Sequence, residues 1–170
     1  MAPDALRAQL AAASSHFAEH GECVYCRLLA DDVASGVRVI WQNDSFVAVC
    51  PYASRYAFAA TILPRGHCPA FLLMEPAERS DLASMLRRLL FGFRTALFNP
   101  PYNVVSQIAP SLNAAGNGSE YSRNLEQAFH WHIDLTPRLT RTAGFERGTG
   151  LHLNPVAPEE AAKTIRANLP

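Results

Sequence analysis

The chain has 170 residues, of which 49% are hydrophobic and 18% charged, so it is long enough to bury one substantial core. Its formal net charge of zero provides no basic surface for nucleic-acid backbones or anionic membranes. No apolar run approaches the roughly 20 residues that a membrane span requires, and charges interrupt the Ala-rich N-terminus, which therefore does not resemble a signal peptide. We expect a cytoplasmic protein whose four cysteines are reduced.

The first two thirds of the chain predict a helix, three strands, a long helix and a fourth strand. The N-terminal helix covers about residues 3–19 and ends at Gly21. VRVIWQ and FVAVCP flank Asn43-Asp44 and predict a hairpin, and YAFAATILP predicts the third strand. An apolar stripe at helical spacing predicts the long helix from Glu75 to Asn99, and YNVVSQIA predicts the fourth strand.

The last third predicts a loop, a fifth strand and a closing helix. PSLNAAGNGSEYSRN is rich in Gly, Asn and Ser and predicts a mobile loop, AFHWHIDLTP the fifth strand, and PEEAAKTIRANL a helix. One long helix between the third and fourth strands, with helices at both termini, predicts an antiparallel α+β domain. We expect residues 1–20 to form the N-terminal helix and residues 21–170 a single domain.

Two histidines and an acid alternate with apolar residues in the predicted fifth strand. Period-two alternation places this polar set on one face of the strand, and the residues between them face the core: His130, His132 and Asp134. An ordinary half-exposed strand also shows alternate polar residues. Two histidines one position apart beside an acid are nevertheless an uncommon choice for a solvated face, so this face is a candidate site.

The pair Cys23 and Cys26 has the spacing of metal ligands. Two thiolates can occupy half of a tetrahedral zinc site, which leaves two positions for histidines. The candidates are His67, directly after the third strand, and one histidine of the fifth strand. Alone the pair is weak evidence, because chance and redox pairs share its spacing, although the βαβ context of a redox pair is missing.

The segment TRTAGFERGTG, residues 140–150, contains three glycines among aromatic and charged residues. Such glycines allow a backbone to approach a ligand closely, which predicts a binding loop. A plain glycine-rich turn explains the composition equally well. The spacing matches neither a P-loop nor a dinucleotide-binding fingerprint.

Four strings in the sequence together resemble one known family. They are CPYASRYAFAATILPRGH, NPPYNVV, FHWHIDLTPRLTRTAGFERGTG and LNPVAPEEAAKTIR. They closely resemble the galactose-1-phosphate uridylyltransferase family of the histidine-triad superfamily, from about Gly21 to Leu169. Members carry two copies of the histidine-triad fold, and this sequence resembles the second copy, since it lacks the His-Pro-His-x-Gln signature of the first.

The resemblance implies a role for particular residues. His132 falls on the nucleophile position of first copies, Gln127 on a phosphate-contacting position, and Asp134 on the third position of the triad. Phe145 and Glu146 match positions that contact the hexose in the neighbouring subunit's active site. In second copies that bind zinc, the ligand positions match four residues of this chain: Cys23, Cys26, His67 and His130.

The function that the resemblance implies is hexose-1-phosphate nucleotidyl transfer from a UDP- or ADP-sugar through a nucleotidyl-histidine. A homodimer, or a partner chain carrying a first copy, would complete the site. Two alternatives remain: a non-catalytic, zinc-stabilised nucleotide-sugar-binding half, and a histidine-triad nucleotide hydrolase. Gln107 stands where second copies usually have His, which argues against a further metal site. Residues 113–124 lack the Asn-x-Gly phosphate signature, which argues against independent catalysis.

Overall fold

The computed structural model describes residues 4–109, 124–141 and 143–170. Within them five strands form one antiparallel sheet: β1 (Val39–Gln42), β2 (Phe46–Val49), β3 (Ala60–Pro64), β4 (Tyr102–Gln107) and β5 (His132–Pro137). The spatial order is β1-β2-β3-β5-β4, and each neighbouring pair is antiparallel. The predicted α+β fold is thus confirmed. The predicted mobile loop, apart from Asn124, lies outside the described residues.

Six α-helices accompany the sheet in the described part of the chain: α1 (Asp4–His20), α2 (Val24–Ser35), α3 (Pro76–Ala96), α4 (Leu125–Ala128), α5 (Gly144–Thr149) and α6 (Pro158–Arg166). The helices predicted at both ends and between the third and fourth strands are confirmed as α1, α6 and α3. Gly21 ends α1 with a φ of +71°, and its N–H donates to the Phe17 carbonyl. None of the described helices combines the length and apolarity needed to cross a bilayer.

Three of these helices, α2, α4 and α5, were not predicted from the sequence. Residues 24–35 form α2, although they contain no predicted element, and residues 144–149 form α5 instead of the predicted glycine-rich loop. In α5 the Glu146 carboxylate accepts the N–H of Ala143, which caps the first turn, and Gly150 ends the helix with a φ of +71°. Polar capping therefore makes a helix where composition predicted a loop.

Two predicted strands begin four residues too early. The third strand begins at Ala60, because Phe58 has a φ of +60° and interrupts the extended backbone. The fifth strand begins at His132, and residues 125–128, which include the first residue of the predicted strand, form α4. His130 therefore lies in the connection between α4 and β5 and not in the strand itself.

Both faces of the sheet are covered at β2, whereas β4 is exposed along most of its length. In β2, Phe46 and Ala48 belong to the main core with buried residues of α1, α3 and α6. Val47 and Val49, on the opposite face, pack in a second, smaller core with Leu29 of α2. Period-two alternation with both sides buried explains why β2 is apolar throughout. The helix α2 thus covers the face of the sheet opposite the main core.

Candidate functional site

Four thiol and imidazole side chains from three separate segments meet beside the first turn of α2. They are the four predicted ligands: Cys23, Cys26, His67 and His130. Their ligand atoms all lie within 4.8 Å of one another. Cys26 Sγ is 3.3 Å from His67 Nδ1 and 3.5 Å from His130 Nδ1. Bond lengths of about 2.0–2.3 Å in tetrahedral zinc sites give ligand separations of about 3.3–3.8 Å, so the cluster has the size for one such ion.

Local structure explains how these four residues meet. Cys23 is the N-cap of α2, and Cys26 lies three positions later, so that both thiols occur on one side of the first helical turn. His67 follows β3, and His130 precedes β5, the strand that pairs with β3. Because β3 and β5 run antiparallel, the end of β3 lies beside the start of β5, which brings the two histidines to the same end of this strand pair.

The protonation of the imidazoles suits metal binding. His67 Nε2 lies 2.8 Å from the Glu126 carbonyl oxygen and donates its hydrogen there, which leaves the Nδ1 lone pair for a cation. Burial, with smaller contributions from His67 and His132, lowers the pKa of His130 to about 4, so this ring is neutral at physiological pH. The residues present can therefore hold one metal ion.

His132 lies beside this cluster with only 4% of its surface exposed. Its Nδ1 is 2.9 Å from the carbonyl oxygen of His130 and donates a hydrogen bond to it. The ring is therefore held in the tautomer whose Nε2 carries a free lone pair. Nε2 lies 4.0 Å from Asp134 Oδ2. The ring also packs against the Tyr25 ring, with centroids 4.9 Å apart.

Two polar residues hold the Asp134 carboxylate in place. Thr61 on β3 donates its hydroxyl to Oδ1 at 2.7 Å, and Gln107 on β4 donates its amide to Oδ2 at 3.1 Å. In the register of the sheet, Asp134 is opposite Thr61 of β3 on one side and opposite Val105 of β4 on the other. Gln107, the departure from the family pattern, therefore serves as a hydrogen-bond donor to this carboxylate.

A cleft of about 350 Å³ lies between α2 and the sheet, and His132 and Asp134 both line it. Its volume is within the range of small-molecule sites, about 300–1,000 Å³. Most of the wall is apolar, with Leu28 and Leu29 from α2 and Leu63 from β3. His132 and Asp134 therefore lie on one face of β5, as predicted, and both line a cleft that is large enough for a ligand.

The other predicted ligand-binding residues lie elsewhere. Gln127 is exposed on α4 and is not among the residues that line the cleft. Phe145 is 55% exposed on α5, and Glu146 accepts the backbone N–H groups of Ala143 and Leu153, which lowers the pKa of its carboxyl group. The contacts predicted for these three with phosphate and hexose stay predictions.

The structure also adds residues that the sequence did not single out. Tyr25, Asp32 and Arg38 line the same cleft as His132. Tyr25 is half-buried beside Cys23 and Asp134, and this burial raises the pKa of its hydroxyl to about 12. Two of the three lie on α2, and no spacing signal marks them, because that helix was not predicted.

The fold and the paired histidines define a histidine-triad-like domain. A zinc-bound histidine-triad protein from Mycobacterium smegmatis shares the fold at 18% identity, with a TM-score of 0.56 over 86% of this chain and 91% of that one. The family model described as "Galactose-1-phosphate uridyl transferase, C-terminal domain" matches residues 9–167, and the chain belongs to this family. The resemblance seen in the sequence is thereby confirmed.

The curated relatives are about twice as long as this chain or longer. ADP-glucose phosphorylase from Arabidopsis thaliana is 31% identical over 96% of the chain and 43% of the relative. Galactose-1-phosphate uridylyltransferase from Thermotoga maritima is 24% identical over 96% of the chain and 50% of the relative. A crystal structure of an Arabidopsis thaliana ADP-glucose phosphorylase with bound ADP-glucose has a TM-score of 0.82 at 30% identity, covering 98% of this chain and 50% of that one.

Proposed function

We propose that this chain takes part in nucleotidyl transfer between nucleotide sugars and sugar 1-phosphates, with His132 as the residue that accepts the nucleotidyl group. The names of the relatives support the reaction class. The observation that carries the assignment to His132 is the hydrogen bond from its Nδ1 to the His130 carbonyl, inside a cleft that can take a ligand. That bond fixes the nucleophilic tautomer before any substrate arrives.

The proposed reaction has two displacements at phosphorus. His132 Nε2 donates its lone pair to the α-phosphorus of the nucleotide sugar, and the bond from that phosphorus to the sugar 1-phosphate oxygen breaks. The departing sugar phosphate takes the electron pair. An oxygen of a second sugar phosphate then attacks the same phosphorus and releases the imidazole. The His130 carbonyl accepts the Nδ1 hydrogen throughout and stabilises the positive charge that the ring carries in the intermediate.

Zinc is the metal that we propose for the adjacent cluster, since two thiols and two imidazoles form its preferred ligand set: Cys23, Cys26, His67 and His130. Four protein ligands leave no open coordination position, so the ion would supply rigidity and no direct contact with phosphate. The ring of His130 belongs to this cluster, and its backbone carbonyl holds His132. The cluster thus positions the group that selects the tautomer.

The test is covalent labelling of the metal-loaded full chain with ADP-glucose or UDP-glucose radiolabelled at the α-phosphorus. We expect acid-labile label on the protein, since a phosphorus–nitrogen bond to histidine hydrolyses in acid. His132→Asn should abolish the label, and His20→Asn, which changes an exposed histidine on α1, should leave it unchanged. Label on His132→Asn would show that another group is the nucleophile.

A second candidate function, a non-catalytic half that binds a nucleotide sugar for a partner, rests on Asp134. Its carboxylate lies 4.0 Å from His132 Nε2, where its charge opposes the approach of an anionic phosphate. The partner would be a second copy of this chain or a chain carrying the first copy of the fold. Binding of the nucleotide sugar by a folded, metal-loaded chain that never becomes labelled would support this function over transfer by His132.

A further inference from the structure

The Tyr25 ring lies against the His132 imidazole, a contact to which the proposed transfer assigns no role. Tyr25 belongs to the first turn of α2, between the two cysteines of the cluster, and it lines the cleft together with His132. The two ring centroids are 4.9 Å apart, and the ring planes are inclined by 37°. Tyr25 also meets Phe129 edge to face, with centroids 5.6 Å apart. The Tyr25 ring is therefore held in place and contacts the proposed nucleophile directly.

The hydrogen bond from His132 Nδ1 to the His130 carbonyl selects the tautomer, but it does not fix the inclination of the ring. A hydrogen bond stays favourable while its angle at the hydrogen departs from linear by up to about 30°, so this bond alone leaves the ring free to tilt. The Nε2 lone pair lies in the ring plane, and any tilt changes its direction. Phe129 is a more distant neighbour of the ring, with centroids 6.0 Å apart, so Tyr25 makes the closer aromatic contact.

We propose that Tyr25 is a positioning residue, whose ring holds the His132 imidazole at the inclination that directs the Nε2 lone pair into the cleft. This inference rests on the proposed function, because that function makes Nε2 the attacking atom. A reacting atom that is misplaced by about 1 Å can cost about a hundredfold in rate, since attack requires both proximity and alignment. Tyr25 should therefore affect the rate at which His132 attacks phosphorus more than the affinity for the nucleotide sugar.

Tyr25 also packs against both hydrophobic cores, so the effect of its ring on His132 has to be separated from a general contribution to stability. Two substitutions at this position make that separation. Tyr25→Phe keeps the flat ring and removes only the hydroxyl, whereas Tyr25→Leu keeps an apolar side chain and removes the ring. The matched control is Val33→Ala, which shortens an exposed side chain of α2 that is not among the residues lining the cleft.

The experiment measures the initial rate of covalent labelling of the metal-loaded full chain over a series of UDP-glucose and ADP-glucose concentrations. Each series gives a maximal rate and a half-saturating concentration. In Tyr25→Leu we expect the maximal rate to fall by about tenfold or more, while the half-saturating concentration changes by less than about threefold. Tyr25→Phe should retain the maximal rate to within about threefold, because the ring is still present, and Val33→Ala should leave both quantities unchanged.

Zinc content and melting temperature are measured on every variant, so that a folded, metal-loaded chain is compared each time. Tyr25→Met, which also lacks a ring but has a flexible side chain, carries the test should Tyr25→Leu not fold. An unchanged maximal rate in these two variants, or an equal loss in Tyr25→Phe, would overturn the role of the ring and leave the proposed function standing. Absence of label on the unchanged chain would overturn both.

Discussion

Replacing Cys23 by Ser should remove the metal ion and destabilise the whole domain. The cluster connects distant parts of the chain: Cys26 contacts His67 across 41 positions and His130 across 104. Without an ion, burial raises the pKa of the Cys26 thiol to about 12, and the neighbouring Cys23 adds to that shift. Cys23→Ser removes one of the four ligands, and the remaining three do not form the closed tetrahedral site of a structural zinc ion.

The size of the effect follows from ligand linkage. An ion that binds only the native state stabilises it by about 4 kcal/mol when its free concentration is a thousand times the dissociation constant. In a domain of this size each kcal/mol corresponds to about 2–4 °C in melting temperature. We therefore expect Cys23→Ser to melt about 8–16 °C below the zinc-loaded unchanged chain, and a chelator to lower the unchanged chain by a similar amount.

Metal content by mass spectrometry and thermal melting by circular dichroism measure the two quantities on the same samples. The control is Cys68→Ser, because Cys68 lies outside the cluster and its Sγ donates a hydrogen bond to the Ala70 carbonyl, a bond that a serine hydroxyl can also make. One zinc per chain is expected in the control and none in Cys23→Ser. Full zinc content and unchanged melting in Cys23→Ser would refute the ligand set.

Three further outcomes are expected. Gly92→Ala should lower the free energy of unfolding, measured by denaturant titration, by about 1–2 kcal/mol, since the added Cβ would lie 3.0 Å from the Ile165 side chain. In the control Gly148→Ala the added Cβ meets no atom within 4 Å, so this variant should be neutral or slightly stabilising. Asp134→Asn should raise the initial rate of nucleotidyl labelling several-fold, because it removes the charge 4.0 Å from the attacking nitrogen; a slower rate would show that the carboxylate assists attack. Burial raises the pKa of the Cys50 thiol from 9.0 to about 12, so as pH rises the thiol ionises first in the unfolded chain. The melting temperature should therefore fall between pH 9 and 12, and Cys50→Ala should make that fall with pH less steep.

The sequence predicted the elements whose packing pattern is strong. In α3 the buried residues repeat at helical spacing, and in β2 two apolar faces each find a core. The helix α2 lacks such a pattern: Leu28 is 51% exposed and Val33 38% exposed, while only Leu29 and Asp32 are buried. A helix that borders a cleft does not bury a full apolar stripe, so its periodicity gives no clear signal.

The candidate site likewise contains residues that the sequence predicted and residues that it did not. The four residues of the candidate metal cluster could be singled out in the sequence, because CxxC spacing and the family resemblance both mark local sequence. The salt bridge between Asp32 and Arg38 could not, because it depends on how α2 lies over the sheet, and no short-range pattern encodes that placement. The start of β5 was also missed, because α4, a helix of a single turn, ends where the strand was predicted to begin, and His130 lies between the two elements.

His130 connects the thiol and imidazole cluster to the cleft. Its imidazole lies among the candidate metal ligands, while its backbone carbonyl, on the same residue, accepts the Nδ1 hydrogen of His132. Rotation of the His130 backbone would move both groups together, because the ring is fully buried and the strand pairing of β5 begins only two residues later. An ion held by the ring therefore restricts the carbonyl, and the carbonyl determines which nitrogen of His132 faces Asp134 and the cleft. In the proposed function, a metal site with no open coordination position would thus control His132 through one residue and one hydrogen bond.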